Sequence, residues 1–198
     1  MKTIVVASRK GGVGKTTLAG HLAVVATTGG KTVVMFDEDP QHSLSEWFDS
    51  RTAELPLLAD LANLDGIRAS GEADLAIIDT PPSHDTGRLL IQADLVVIPV
   101  RASAHDLRAV SSTVDLVREA KKPMVFVINA VTPRSRLASE AAIELSQHGT
   151  VAPVQLGARQ DYVVSMADGR TVLEADPLGR SADEIRRLWD YLAKRLAG

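Results

Sequence analysis

A glycine-rich loop between residues 10 and 17 carries the residue types that bind phosphate. Gly11, Gly12 and Gly14 allow a tight turn whose backbone N–H groups point at anionic oxygens, and the following helix adds the positive end of its dipole. Lys15 is suited to neutralise the outer phosphates, and the Thr16 hydroxyl is suited to bind Mg²⁺. The alternative is an ordinary glycine-rich turn. The loop lies between a predicted strand and a predicted helix, so the sequence favours a nucleotide-binding loop.

Two acidic segments follow later aliphatic runs. Residues 37–41 (DEDPQ) come after the second run, and residues 79–82 (DTPP) come after the third. Carboxylates at these points are expected beside the phosphate loop, with Asp79 directed toward Mg²⁺. The alternatives are a solvated acidic loop with a helix N-cap at Ser43, and a simple cap at Asp79.

Short aliphatic runs alternate with longer mixed segments along the chain. The runs are continuous, which is typical of strands buried on both faces, and they span residues 4–7, 33–36, 75–78, 95–100, 124–128 and 151–156. Intervening segments, such as 15–27 and 104–120, are predicted helices. This order predicts an α/β fold of the P-loop NTPase type, with a mostly parallel twisted sheet between helices on both faces. We expect one domain over residues 1–198, with ligands beyond the carboxyl ends of the strands.

Composition narrows the function classes. Lys and Arg number 22 against 25 Asp and Glu, so the net charge of −3 gives no global attraction to nucleic acid or an anionic membrane. The absence of Cys excludes disulfides, thiol catalysis and thiolate-held metal sites. No apolar run has the length of a membrane span, and we expect a cytoplasmic protein. The histidines show no metal-ligand spacing and are expected to be scattered surface or cap residues: His21, His42, His84, His105 and His148.

The phosphate loop departs from the standard pattern in an informative way. The first glycine of that pattern would fall at Arg9, and the loop carries an extra lysine at Lys10. With the two acidic segments, this loop resembles the signature of the ParA/MinD family of partitioning and positioning ATPases. The resemblance implies ATP or ADP and Mg²⁺ as ligands, with the nucleotide held by Asn129 at the adenine and by the loop, Lys10, Gly11, Gly12, Val13, Gly14, Lys15, Thr16 and Thr17.

The resemblance also implies roles for individual residues. Lys10 would reach across a dimer to the partner's nucleotide and act in catalysis with Lys15 and Asp39. Asp39 would position the attacking water, and Asp37 would join Thr16 and Asp79 around Mg²⁺. The first predicted strand lies at the start of the chain, so the sequence is most similar to the small ParA-type ATPases without an N-terminal DNA-binding domain.

The function implied by the resemblance is an ATP-controlled homodimer with slow hydrolysis. A ParB-like or cargo adaptor protein would stimulate hydrolysis, and the ATP dimer would bind DNA without sequence preference and associate with the nucleoid. The cargo would be a plasmid, a chromosome or a protein cluster. The candidate DNA contacts are Arg134, Arg136, Arg180, Arg186 and Arg187.

Local charge also permits a simpler interpretation of the basic residues. From Arg101 to Arg136 there are seven basic residues against three acidic ones, which equally describes a solvated helix face. The basic residues are Arg101, Arg108, Arg118, Lys121, Lys122, Arg134 and Arg136.

Two other functions stay open. The segment 181–196 begins with a possible capping box, Ser181 with Glu184, and carries an apolar stripe of Ile185, Leu188, Trp189, Leu192 and Leu196. That stripe would suit either docking on the sheet or a MinD-like helix at a membrane surface, and we favour docking. A metabolic ATP-dependent ligase on the same fold is the other alternative, which the paired acidic segments disfavour.

Overall fold

A parallel sheet runs through the molecule, which we describe from a computed structural model for residues 1–83 and 86–197. Over these residues the sheet has seven strands in the order β3-β2-β4-β1-β5-β6-β7. The strands are β1 (Lys2–Val6), β2 (Val33–Asp37), β3 (Leu57–Leu58), β4 (Leu75–Asp79), β5 (Leu95–Arg101), β6 (Met124–Asn129) and β7 (Thr150–Val151). The predicted α/β fold with a parallel sheet is confirmed.

Helices cover both faces of the sheet, because each strand is apolar on both sides. One face packs against α1 (Lys15–Thr28), α2 (Ser43–Asp49), α7 (Gln160–Ala167), α8 (Val172–Ala175) and α9 (Arg180–Ala197). The other face packs against α3 (Leu64–Ser70), α4 (Gly87–Leu90), α5 (Ala104–Glu119) and α6 (Arg136–Ser146), and a short 3₁₀ turn (Leu61–Asn63) precedes α3. Strand alternation divides the core: Ile4 and Val6 face α1, whereas Val5 and Ala7 face α5.

The sequence prediction was wrong at both edges of the sheet. The predicted strand 151–156 is reduced to β7, because Pro153 has no N–H to donate and the chain bends there. Beyond the bend, Leu156 still donates its N–H to the Ile128 carbonyl at 2.9 Å. Strand β3 was not predicted, because two residues are too few to form a recognisable aliphatic run.

The last helix confirms the predicted docking stripe and contradicts the predicted cap. Ile185, Leu188, Trp189, Leu192 and Leu196 are all buried in the core. Ser181 is not an N-cap, since α9 already begins at Arg180 and the Ser181 hydroxyl donates to Asp161 at 2.7 Å. Glu184 instead accepts two hydrogen bonds from Arg159, at 2.6 and 2.7 Å. A capping box does form elsewhere, between Thr171 and Glu174 at the start of α8.

Parallel strands deliver polar residues to one edge of the sheet. Asp37, Asp79, Arg101 and Asn129 are the last residues of β2, β4, β5 and β6. Asp37 lies opposite Asp79 in the ladder, and Arg101 lies opposite Asn129. The loop from β1 to α1 ends at the same edge, so the predicted chemistry converges there.

Candidate active site

The glycine-rich loop between β1 and α1 has the backbone conformation of an anion cradle. Gly12 and Gly14 have φ angles of 72° and 95°, which side-chain-bearing residues rarely adopt. Gly14 immediately precedes α1, and its carbonyl accepts the N–H of Leu18 at 3.0 Å. A Cβ atom at Gly14 would lie 2.5 Å from the Asn129 amide nitrogen, so glycine is required here for two reasons. The loop N–H groups and the helix N-terminus thus face the same space.

Lys15 begins α1 and is almost enclosed, with 6% of its surface exposed. Burial lowers the pKa of Lys15 below its usual value, and the negative charges of Asp79 and Asp39 oppose that shift. A phosphate in the adjoining cavity would offset the cost of burying this ammonium. Lys15 is therefore well suited to bind a phosphate group.

Thr16 and Asp79 form a short hydrogen bond beside the phosphate loop. The Thr16 hydroxyl donates to Oδ2 of Asp79 at 2.6 Å, whereas Oδ1 of this fully buried carboxylate has no hydrogen-bond partner among the described residues. Burial raises the pKa of Asp79 to about 7, the Thr16 hydrogen bond and Lys15 lower it, and Asp37 and Asp39 raise it further. A buried carboxylate oxygen without a donor is stabilised by binding a proton or a cation.

The two aspartates after β2 have different surroundings. Asp37 accepts the backbone N–H and the hydroxyl of Ser45 on one oxygen, at 2.8 and 2.9 Å, and the N–H of Asp39 on the other at 3.2 Å. It thereby fixes the start of α2. The Asp39 carboxylate accepts the Gln41 N–H at 3.0 Å, has no other hydrogen-bond donor among the described residues, and lines the cavity above the phosphate loop. Ser43 is the first residue of α2 and not its N-cap, because His42 occupies that position.

A cavity of about 760 Å³ joins these elements. It is lined by the phosphate loop, by Asp39 and the following residues of α2, and by the end of α7. Of the predicted nucleotide-binding residues, Gly11, Gly12, Gly14, Lys15, Thr16 and Thr17 line it, while Val13 is buried beneath the loop. A nucleotide phosphate chain fits a space of this size.

Asn129 lies in a smaller adjoining cavity of about 120 Å³. Its side-chain amide donates to the Val13 carbonyl at 2.7 Å, and its carbonyl oxygen accepts the Ala130 N–H at 2.8 Å. Leu18, Leu156 and Ile185 form apolar walls of this space. An apolar pocket beside a phosphate loop is suited to a flat base, and Asn129 also supports the loop from below.

Lys10 turns away from its own phosphate cavity. Its amino group lies 2.8 Å from Nδ1 of His105 and 3.9 Å from Asp106, both at the start of α5, and its side chain is 34% exposed. It is absent from the residues that line the large cavity. Lys10 is therefore partly exposed, is held by residues of α5 and does not line the cavity that contains Lys15.

The candidate DNA contacts occur in two groups. Arg134 lies between β6 and α6 with a positive φ of 60°, Arg136 is the first residue of α6, and both are exposed. On α9, Arg180 and Arg187 are exposed, Arg186 is partly buried, and Arg187 lies 3.8 Å from Asp183. The loop at Gly157 connects the elements that carry the two groups, because Gly157 pairs with Val131 after β6 and donates its N–H to Glu184 on α9.

Sequence reasoning missed two buried polar groups beside the site. His21 was expected at the surface but is fully buried, where its Nδ1 donates to the Thr17 carbonyl at 2.7 Å and its Nε2 accepts the Val172 N–H at 3.1 Å. Burial lowers the pKa of His21 to about 4, so the ring is neutral at physiological pH. Its position within a continuous run of apolar and small residues in α1, 18–26, was the available signal. His84 lies outside the described residues.

Arg51 is the second missed group. Its side chain is 1% exposed, and its guanidinium makes hydrogen bonds of 2.8 and 3.2 Å with Glu174 and lies 4.6 Å from the ring centroid of Trp47. Trp47 in turn donates to the Arg170 carbonyl at 3.2 Å and lines the large cavity. Nothing in the sequence links residues that are more than 120 positions apart.

The site contains no dense metal cluster. Among residues 1–83 and 86–197, no group of three or more His, Cys, Asp or Glu side chains is arranged around one point. Mg²⁺ at a phosphate site needs only one or two protein oxygens, because phosphates and waters complete its shell. The Thr16 hydroxyl and the unpartnered Oδ1 of Asp79 are suitable oxygens, so the residues present fit Mg²⁺.

The comparison with family models agrees with this geometry. The CobQ/CobB/MinD/ParA nucleotide-binding domain matches residues 4–172. This chain belongs to that family. The matched stretch includes the phosphate loop, both acidic strand ends and Asn129, and it ends where α8 begins.

Individual relatives extend the similarity over nearly the whole chain. The maintenance of carboxysome distribution protein A of Halothiobacillus neapolitanus is 31% identical over 94% of both chains. The chromosome-partitioning ATPase Soj of Thermus thermophilus is 26% identical over 99% of this chain and 97% of its own. MinD from Pyrococcus horikoshii, solved with Mg-ADP, superposes with a TM-score of 0.80 at 16% identity, over 100% of this chain and 97% of MinD. The last comparison shows the shared fold.

No described helix combines the length and the apolar character needed to cross a bilayer.

Proposed function

We propose that this chain is an ATPase of the partitioning and positioning type, in which ATP binding drives formation of a homodimer and ATP hydrolysis causes the dimer to dissociate. The observation that carries the proposal is the direction of Lys10. Its ammonium lies outside its own phosphate cavity, bound to His105 and 34% exposed, while Lys15 already serves that cavity. A second lysine that faces outward is suited to the nucleotide of another copy of this chain.

Phosphoryl transfer to water requires positioning and charge stabilisation more than covalent chemistry. Lys15 and the loop N–H groups bind the outer phosphates, and Asp39, at the cavity wall, positions the attacking water. Thr16 and Asp79, with Asp37 nearby, would hold Mg²⁺, which would neutralise charge on the phosphates. Lys10 of the second copy completes the site, so hydrolysis removes the phosphate that joins the two copies.

The proposed cargo system follows from the relatives. One relative distributes carboxysomes and another partitions chromosomes, so we propose a cargo moved along the nucleoid through non-specific DNA binding. Arg134, Arg136, Arg180, Arg186 and Arg187 are the proposed DNA contacts, with an adaptor protein that stimulates slow hydrolysis. We also propose that residues 1–198 act as one ATPase domain, which the single sheet supports.

The position of α9 in the fold argues against the alternative function at a membrane surface. Every residue of the apolar stripe on α9 is buried against the sheet face that carries α1, so none is available to enter lipid without unfolding. We therefore propose that the ATP dimer binds to DNA and not to a membrane.

Light scattering after size-exclusion chromatography tests the switch. Wild type, Lys10→Ala and Asp39→Ala are each compared with Mg-ADP and Mg-ATP. We expect a stable ATP dimer for Asp39→Ala, which cannot position water, and a monomer for Lys10→Ala under every condition. A stable ATP dimer of Lys10→Ala contradicts the role in trans. Lys194→Ala, which changes a lysine at the end of α9, serves as a control and should dimerise like wild type.

DNA and lipid binding are then measured with the trapped Asp39→Ala dimer. We expect it to shift duplexes of unrelated sequence equally, with an affinity that falls steeply as salt rises. Binding to anionic vesicles without binding to DNA would reject the proposed surface.

A further inference from the structure

Arg101 occupies the junction between the two cavities of the site. Three described residues line both the 760 Å³ cavity and the 120 Å³ cavity, namely Gly14, Thr17 and Arg101. Arg101 alone among them is charged. It ends β5, directly opposite Asn129 at the end of β6.

Strand alternation decides which face of the sheet Arg101 occupies. Val96, Ile98 and Val100 pack into the core beneath α5, whereas Val97 packs into the core beneath α1. Arg101 is an even number of residues from Val97, so its side chain projects on the α1 side. That direction agrees with its place beside Gly14 and Thr17, at the loop and the first turn of α1.

The guanidinium of Arg101 has its donors available. Within residues 1–83 and 86–197 it makes no hydrogen bond or ion pair, and it is exposed. Arg159, the other arginine of the small cavity, is held by Glu184 at 2.6 and 2.7 Å. Lys15, the other cation of the large cavity, is enclosed with Asp79. Arg101 is thus the cation of the junction that can still take an anionic partner.

We propose that Arg101 is a further nucleotide-binding residue, which donates to the α-phosphate and ribose of the bound adenine nucleotide. A nucleotide with its base beside Asn129 and its outer phosphates beside Lys15 must pass its ribose and α-phosphate through the junction. A guanidinium presents paired donors that match phosphate oxygens. The inference rests on the proposed function and removes Arg101 from the basic residues that would otherwise be assigned to a DNA patch.

Calorimetric titration of Mg-ADP into wild type, Arg101→Ala, Arg101→Lys and Arg108→Ala tests the inference. Arg108 is a matched control, because it is an exposed arginine seven residues later that faces a groove on α5 away from both cavities. We expect Arg101→Ala to weaken ADP binding about tenfold, as for one partly exposed charge-assisted contact, and Arg101→Lys to recover part of the loss. Arg108→Ala should bind ADP like wild type.

The outcomes separate the inference from the proposed function. If wild type does not bind Mg-ADP, the proposed function fails. If wild type binds and Arg101→Ala binds equally well, the inference is overturned and the proposed function stands. DNA binding by the ATP-loaded Asp39→Ala/Arg101→Ala double variant gives a second readout. Loss of DNA binding with unchanged nucleotide affinity would assign Arg101 to the DNA surface and would also overturn the inference.

Discussion

Replacing Asp79 with Asn should change the way stability depends on pH. Asp79 is fully buried, with one oxygen bonded to Thr16 and the other without a partner among the described residues. Burial is the main reason that its pKa rises from 3.8 to about 7, and the Thr16 hydrogen bond and the charge of Lys15 only partly oppose that rise. The ionised carboxylate is thus a cost to the nucleotide-free fold.

The sign and size of this change in stability with pH follow from proton linkage. The folded pKa exceeds the unfolded one, so the folded chain binds more protons between pH 3.8 and about 7, and stability falls as pH rises through this window. Each pH unit between the two pKa values contributes about 1.4 kcal/mol, which amounts to a loss of up to about 4 kcal/mol. An asparagine cannot ionise and does not incur this loss. The free energy of unfolding of Asp79→Asn, relative to that of wild type, should therefore rise by up to about 4 kcal/mol between pH 4 and pH 8.

Urea denaturation of the nucleotide-free protein, in chelator and at several pH values from 4 to 8, measures the difference. Any fixed cost of the new amide shifts the whole curve and leaves its slope unchanged. Asp65→Asn is the control, because the Asp65 side chain is 88% exposed and belongs to α3, outside the site. A flat or falling difference for Asp79→Asn would refute the assigned burial of an ionisable carboxylate. With Mg-ADP present, the advantage should reverse, since the variant lacks the anionic oxygen for Mg²⁺.

Three further perturbations test other parts of the site. Arg51→Ala leaves Glu174 without its buried partner and should lower the free energy of unfolding by about 3 kcal/mol in urea denaturation, whereas Arg88→Ala, which breaks an exposed pair, should cost under about 0.5 kcal/mol. Gly14→Ala places a Cβ atom against Asn129 at a strained φ of 95°. We expect it to weaken Mg-ADP binding at least about tenfold in calorimetry. Gly11→Ala should fold normally, because a Cβ atom at Gly11 meets open space. His105→Ala frees the Lys10 ammonium and should strengthen ATP-dependent dimerisation about two- to fivefold by sedimentation; weaker dimerisation would mean that His105 holds Lys10 in its active position.

Local residue patterns determined the fold class and the first part of the site. Aliphatic runs of strand length predicted five of the strands, since burial on both faces leaves a continuous apolar signature. The phosphate loop was equally predictable, because glycines with positive φ and the following Lys15 and Thr16 act through the backbone of one short segment. The same logic placed Asp37, Asp79 and Asn129 at one edge of a parallel sheet.

Only the tertiary structure decided how these groups are partnered. The Thr16–Asp79 hydrogen bond, the Lys10–His105 contact and the Arg51–Glu174 pair join residues 63, 95 and 123 positions apart. Hydrophobic periodicity along the sequence carries no information about contacts between residues so far apart in the chain. Burial also reassigned His21 from the surface to the core and placed Arg101 where two cavities meet, because exposure and pKa depend on neighbours from other strands and helices.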